Sequence, residues 1–223
     1  MKTVITCISI FILIFSFNIL ANTNISHAIA MHGEPKYNKD FLSVEYVSNS
    51  AVKGGNIVRS SIGNYDTFNP FTLKGNSAAG IGLLYESLTV SSSDEAFTEY
   101  GLLAKQIEWP EDRSWVAFTL RDEAVWHDGK KISSDDVVWT FNILMEKGHP
   151  FYKYYYGDVL EVLKMDNSKV RFNFKGNTNL ELPLIVGQLP VLPKHYWENI
   201  NFEETTLETP MGSGPYKIVH YKT

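Results

Sequence analysis

The chain has 223 residues, a formal net charge of −5, and 44% hydrophobic, 13% aromatic and 20% charged residues. That is the composition of a globular protein, and mild acidity without a Lys/Arg cluster argues against nucleic acid and anionic lipid as partners. The single cysteine, Cys7, leaves no disulfide framework.

Residues 1–30 read as a secretory leader. Lys2 is the only Lys or Arg there, residues 4–17 are almost unbroken apolar sequence, and Ala28-Ile29-Ala30 fits a small-x-small cleavage site. On this reading the fold begins at Met31, the only cysteine leaves with the leader, and the net charge becomes −6 through loss of Lys2. An uncleaved membrane anchor is the rival, against which the apolar stretch is short for a span. No lipoprotein box surrounds Cys7.

Residues 31–53 are weakly patterned, and His32 by itself makes no metal site. Gly54-Gly55 leads into a predicted strand, 56–62, and Asn64 and Asp66 then suit a strand-end turn before Asn69-Pro70. A short helix is predicted over 78–88, a strand over 105–109, and a turn at 110–113. Val116, Phe118 and Leu120 alternate with Ala117 and Thr119, the period of a strand with one buried face. His127-Asp128-Gly129 is a tight turn, Asp-Gly supplying the positive φ. Ser133 opens a helix with Asp136 in capping-box position, and Asp135 and Asp136 suit the positive end of its dipole. Val137, Val138, Phe141, Leu144 and Met145 form its apolar stripe, and Gly148 with Pro150 stops it. Residues 152–156 hold four tyrosines, a surface for either packing or ligand contact. A hairpin over 159–174 turns at Asp166-Asn167-Ser168. A brief helix over 180–188, a proline-marked crossing at 189–197, and a strand from Lys217 complete the chain.

Phe118-Thr119-Leu120-Arg121, Trp126-His127-Asp128-Gly129, Asp136-Val137-Val138 and Gly212-Ser213-Gly214-Pro215-Tyr216 stand in an order that resembles the signature of the family 5 extracellular solute-binding proteins, with Ser213 where that family commonly has Thr. These are the peptide- and oligopeptide-binding components of bacterial ABC importers. Wording around 147–152 and 187–197 is most similar to the Yej-type branch. The resemblance implies an α/β, two-lobed periplasmic-binding-protein fold, type II-like with mixed sheets, of which the N-terminal part is present. It implies that 31–75 begins the larger lobe, 76–191 is an inserted smaller subdomain, and 192–223 returns to the larger lobe. It makes Asn64, Tyr65 and Asp66 candidate ligand contacts, with Tyr152 and Tyr155 at a cleft rim. It further implies a peptide ligand, an inner-membrane ABC permease as partner, a periplasmic location, a monomer when full length, and no metal or cofactor.

Family members continue well past the position of Thr223, so the expectation is a fragment: a truncated chain, a split or decayed gene, or a chain that needs a second polypeptide. Half a clamp is expected to bind peptide weakly or not at all. The rival class is an enzyme using His127, Asp128, Asp135 and Asp136. Turn and cap chemistry account for the three carboxylates, His127 then has no necessary partner, and no nucleophile elbow or phosphate loop is present. A receptor-coupled peptide-binding module without transport is the third reading.

Overall fold

The computed structural model describes residues 23–222. Its centre is a five-stranded sheet, ordered β1-β5-β6-β8-β7, in which every neighbour is antiparallel. The strands are β1 (Thr23–Ser26), β5 (Ala104–Pro110), β6 (Trp115–Leu120), β7 (Val159–Lys164) and β8 (Lys169–Phe174). A three-stranded sheet, β2-β4-β3, lies beside it, built from β2 (Ala28–Ala30), β3 (Thr89–Ser91) and β4 (Thr98–Gly101). Four helices complete the described residues: α1 (Ser134–Lys147), α2 (Pro150–Tyr155), α3 (Leu182–Gly187) and α4 (Lys194–Trp197). The ladders are antiparallel and not mixed; the one parallel pairing among these residues is the isolated bridge Thr67–Ser77.

The alternation read in β6 places Val116, Phe118 and Leu120 in the core, opposite Val170 and Phe172 of β8. Val137, Phe141 and Leu144 of α1 close over them. Phe118 and Phe141 each meet Phe172 edge-on, with ring centroids 5.9 Å apart in both pairs. Burying one such side chain contributes about 1.5–3 kcal/mol.

The start of α1 follows the predicted capping box. Ser133 donates its backbone N–H and its hydroxyl to Asp136 Oδ2, each at 2.9 Å. Asp136 does more than cap. Its Oδ1 accepts the backbone N–H of Lys194 at 3.0 Å, and one turn on Thr140 Oγ1 accepts that of Leu192 at 2.9 Å. Both side chains are buried, so the helix holds the 192–194 segment through a polar seam inside the core. Arg121, last residue of the Phe-Thr-Leu-Arg motif, ties the two sheets at their corner by donating to Leu102 O at 2.7 Å and Gly101 O at 3.2 Å.

Four expectations need correction. The fold does not wait until Met31: Ile25 pairs with Glu108 and Ile29 with Glu99, so 23–30 supplies a strand to each sheet. Ala28, Ile29 and Ala30 are buried, and Arg113 donates to the Ala30 carbonyl at 2.7 Å. Ala28 packs with Tyr37 and Tyr100, while Ile29 joins the main core. The apolar run 4–17 lies outside the described residues. Second, 56–62 joins no ladder, and Ile57, Val58 and Ile62 are exposed. Residues 217–221 likewise join no ladder, with Val219 exposed and Ile218 packed against the Phe68 cluster. In both cases a β-rich pattern lacks a neighbouring strand to complete it. Finally, the helix expected over 78–88 is a single 3₁₀ turn, Ile81–Leu84, because glycines at 80 and 82 weaken a longer one.

Two stability outcomes follow from these contacts. Ser133→Ala removes one cap and is expected to cost about 1 kcal/mol. Asp136→Ala strands the Ser133 and Lys194 N–H groups and is expected to cost at least about 2 kcal/mol. Urea unfolding of the two variants checks the order, and equal losses would show that the Lys194 contact contributes nothing. A chain starting at Met31 is expected to lose cooperative unfolding, which one starting at Thr23 keeps; circular dichroism melts of the pair decide it.

Candidate binding groove

The 3₁₀ turn Ile81–Leu84 is the ridge of the candidate site. Gly80 enters it in the left-handed region, at φ 82°, and Ile81 and Leu84 point into a small core with Phe68. Leu83 stays half exposed. On one side of the ridge is a cavity of about 700 Å³ walled by Ile57, Arg59 and Tyr216. On the other is one of about 250 Å³ walled by Tyr65, Phe68, Ile218 and Tyr221. Ala79, Gly80 and Leu84 line both, so the two are halves of one groove. Its aromatic wall is ordered by contacts within the groove. Tyr65 stacks on Phe68 at 5.6 Å, Tyr221 meets Phe68 edge-on at 4.9 Å, and Tyr65 Oη donates to Lys222 O at 3.0 Å.

The segment carrying Tyr216 and Ile218 is positioned by the Trp-His-Asp-Gly turn. His127 donates its backbone N–H to Gly212 O at 2.9 Å, and its Nε2 lies 2.9 Å from Gly214 O. Gly212 N–H points at Nδ1 from 3.4 Å. A carbonyl at one ring nitrogen and an N–H at the other call for the neutral Nε2–H tautomer. Gly214 N–H then donates to Leu84 O at 2.8 Å, closing the loop onto the ridge. A Cβ at Gly212 would fall 1.8 Å from Leu84 O, which is why glycine is required there. Glu86 sits beside this clasp; burial pushes its carboxyl pKa up, while Ser213 and His127 pull it down. His127, expected to have no necessary partner, is thus the residue that holds the loop.

Asp128 has the turn role expected of it, with Oδ1 accepting the Lys130 N–H at 3.0 Å. Its Oδ2 meets His195 Nε2 at 3.0 Å. Burial opposes the Asp128 carboxylate, but the Lys130 N–H, His195 and the Lys130 side chain outweigh it and hold the pKa below the ordinary value. With Asp135 paired to Lys164 at 2.5 Å and Asp136 committed to the helix start, these acids are occupied structurally. Among the described residues no group of three or more His, Cys, Asp or Glu is placed to hold a metal. His32 packs its ring edge-on to Phe97.

The expected ligand contacts fall in two places. Tyr65 lines the groove, Asn64 is exposed next to it, and Asp66 Oδ1 accepts the Asn76 N–H at 2.6 Å in a local turn. Tyr152 is stacked on Tyr156 at 6.1 Å, and burial raises its pKa. Tyr155 lies against Phe151 at 4.0 Å on the outer side of α2. Among the described residues no hydrogen bond or ring contact joins the tyrosines of α2 to residues 64–66. Phe68, Ile218 and Tyr221 were not singled out from sequence; the signal available was the alternation of Tyr216, Ile218 and His220 with Lys217, Val219 and Tyr221 directly after Gly214-Pro215.

Residues 98–223 match the family described as bacterial extracellular solute-binding proteins, family 5 Middle. The peptidoglycan-binding protein YepA of Agrobacterium fabrum is 42% identical over 201 residues, which cover 86% of this chain and 33% of that one. YejA of Escherichia coli is 32% identical over 221 residues, covering 98% and 36%. The periplasmic oligopeptide-binding protein of Thermotoga maritima superposes with a TM-score of 0.58 at 30% identity, over 70% of this chain and 30% of the other. This chain spans about a third of the length of these relatives. By the match over 98–223, more than half its length, the chain belongs to the family 5 bacterial extracellular solute-binding proteins.

Proposed function

We propose that the chain contributes one wall of a periplasmic solute-binding protein that captures peptides for an inner-membrane ABC permease. The observation that carries this reading is the groove: an apolar, aromatic-walled cleft bordered by two segments, 56–62 and 216–221, that join no ladder. A peptide is the ligand such a border suits, because backbone outside any ladder can pair with a ligand's main chain while the cavities take its side chains. The names of the relatives agree with this chemistry. The Thermotoga protein is named for oligopeptide binding and the Agrobacterium protein for peptidoglycan, a polymer that carries peptide stems.

In this proposal residues 31–75 and 192–223 belong to the larger lobe and 76–191 to the smaller subdomain, whose sheets also take in 23–30. The opposing wall of the clamp comes from sequence corresponding to the rest of the relatives' length, and closure of two lobes over the ligand supplies the affinity. In this reading a leader is processed before Thr23, which keeps β1 and β2 in the fold. The work of such a protein is binding and delivery, not catalysis.

The groove and the outer side of α2 are separated by one experiment. In an NMR titration of the protein with trialanine, Leu83→Asp is expected to lower affinity at least tenfold while leaving the melting temperature unchanged, because Leu83 is a half-exposed ridge residue. Tyr155→Ala is expected to change affinity less than twofold. The reverse ranking would move the site to the tyrosines of α2.

A further inference from the structure

A buried carboxylate outside the groove lacks a counter-charge. Glu99, in the middle of β4, is 2% exposed, yet no cation pairs with it among the described residues. Its oxygens are met by neutral donors only. Ser91 Oγ and Gln188 Nε2 both donate to Oε1, the latter at 2.8 Å, and Thr89 Oγ1 donates to Oε2 at 2.7 Å. An ionised carboxylate accepts at about four positions, so Oε2 is left with capacity that Oε1 has used. A carboxylate charge buried this way is unfavourable until a counter-charge reaches it.

The unpaired charge borders open space. A cavity of about 230 Å³ lies between β4 and α3, lined by Glu99, Gln188, Leu184, Ile185, Phe97 and a second acid, Glu181. No Lys or Arg lines it. Phe97 stands at 58% exposure, leaving its ring accessible.

We propose that this cavity is a binding site for a primary ammonium group on a short apolar stem. The ammonium supplies the missing counter-charge and a further donor for the carboxylate. Leu184 and Ile185 take the stem, and Phe97 adds an exposed aromatic side chain at the cavity's edge. An anion is repelled by Glu99 and Glu181, and a neutral apolar guest leaves the buried charge uncompensated. A guanidinium fits less well than an ammonium, because its planar fork needs both carboxylate oxygens and Oε1 is already doubly occupied. The site is separate from the groove and does not depend on peptide capture there.

The test is a chemical-shift titration of the purified protein with n-butylammonium, n-butanol, n-propylguanidinium and acetyl-lysine methylamide. Saturable shifts at Phe97, Leu184 and Ile185 are expected with n-butylammonium. Butanol is expected to bind at least tenfold more weakly, and the guanidinium several-fold more weakly. Binding of acetyl-lysine methylamide as well supports the site with a lysine side chain as its source; binding of n-butylammonium alone supports it with a free amine. Glu99→Gln is expected to lose at least tenfold in affinity. Phe97→Ala, on an exposed side chain, is expected to lose a few-fold with the melting temperature kept, so the test survives should the Glu99 variant fail to fold. Equal binding of butanol, no saturable shift with n-butylammonium, or full affinity in folded Glu99→Gln would each overturn the proposal.

Discussion

The polar seam inside the core, where Asp136 and Thr140 of α1 meet the backbone of 192–194, is the constraint on which the arrangement depends. Hydrophobic burial brings α1 onto the sheet but is indifferent to small slides along it. Hydrogen bonds from Lys194 and Leu192 to two fixed points one helical turn apart are not. A buried carboxylate without its donors is costly, so the seam penalises any register but this one. Through it the chain beyond 190 is fixed against β6 and β8, and with it α4, whose Trp197 is buried among Phe71 and Phe202.

From that fixed frame the order reaches the groove in two steps. His195, on α4, meets Asp128 in the tight turn, and Lys130 N–H meets the same carboxylate. The turn in its own right presents His127 to Gly212 and Gly214. The loop can accept this clasp only because it has no Cβ where it touches Leu84. Two separated motifs, Trp-His-Asp-Gly and Gly-Ser-Gly-Pro-Tyr, are therefore two halves of one contact. The tyrosine that ends the second motif becomes a groove wall.

The legible part of the sequence was the part whose instructions are local. β6, α1 and the hairpin of β7 and β8 carry their periods, caps and turn residues within a few positions of themselves, and the structure follows them closely. The clasp was not legible in the same way. His127 looks idle in a hairpin until residues more than eighty positions away arrive beside it. Tyr65 could be placed near the groove from the family resemblance, but its partner Phe68 is unmarked by pattern alone. Ala28-Ile29-Ala30 carries two instructions at once. Small residues after an apolar run suit a processing signal, and they equally suit the short strand β2, whose Ala28 packs with Tyr37 and Tyr100.

The segments 56–62 and 216–221 mark where local instruction stops. Both have the composition of strands, and both leave apolar side chains in water, with Val58 97% and Val219 86% exposed. Their backbone groups meet no ladder. A strand becomes favourable only when a neighbour takes up those groups and covers one face. The two segments border the groove, and what completes them also decides what the groove can hold.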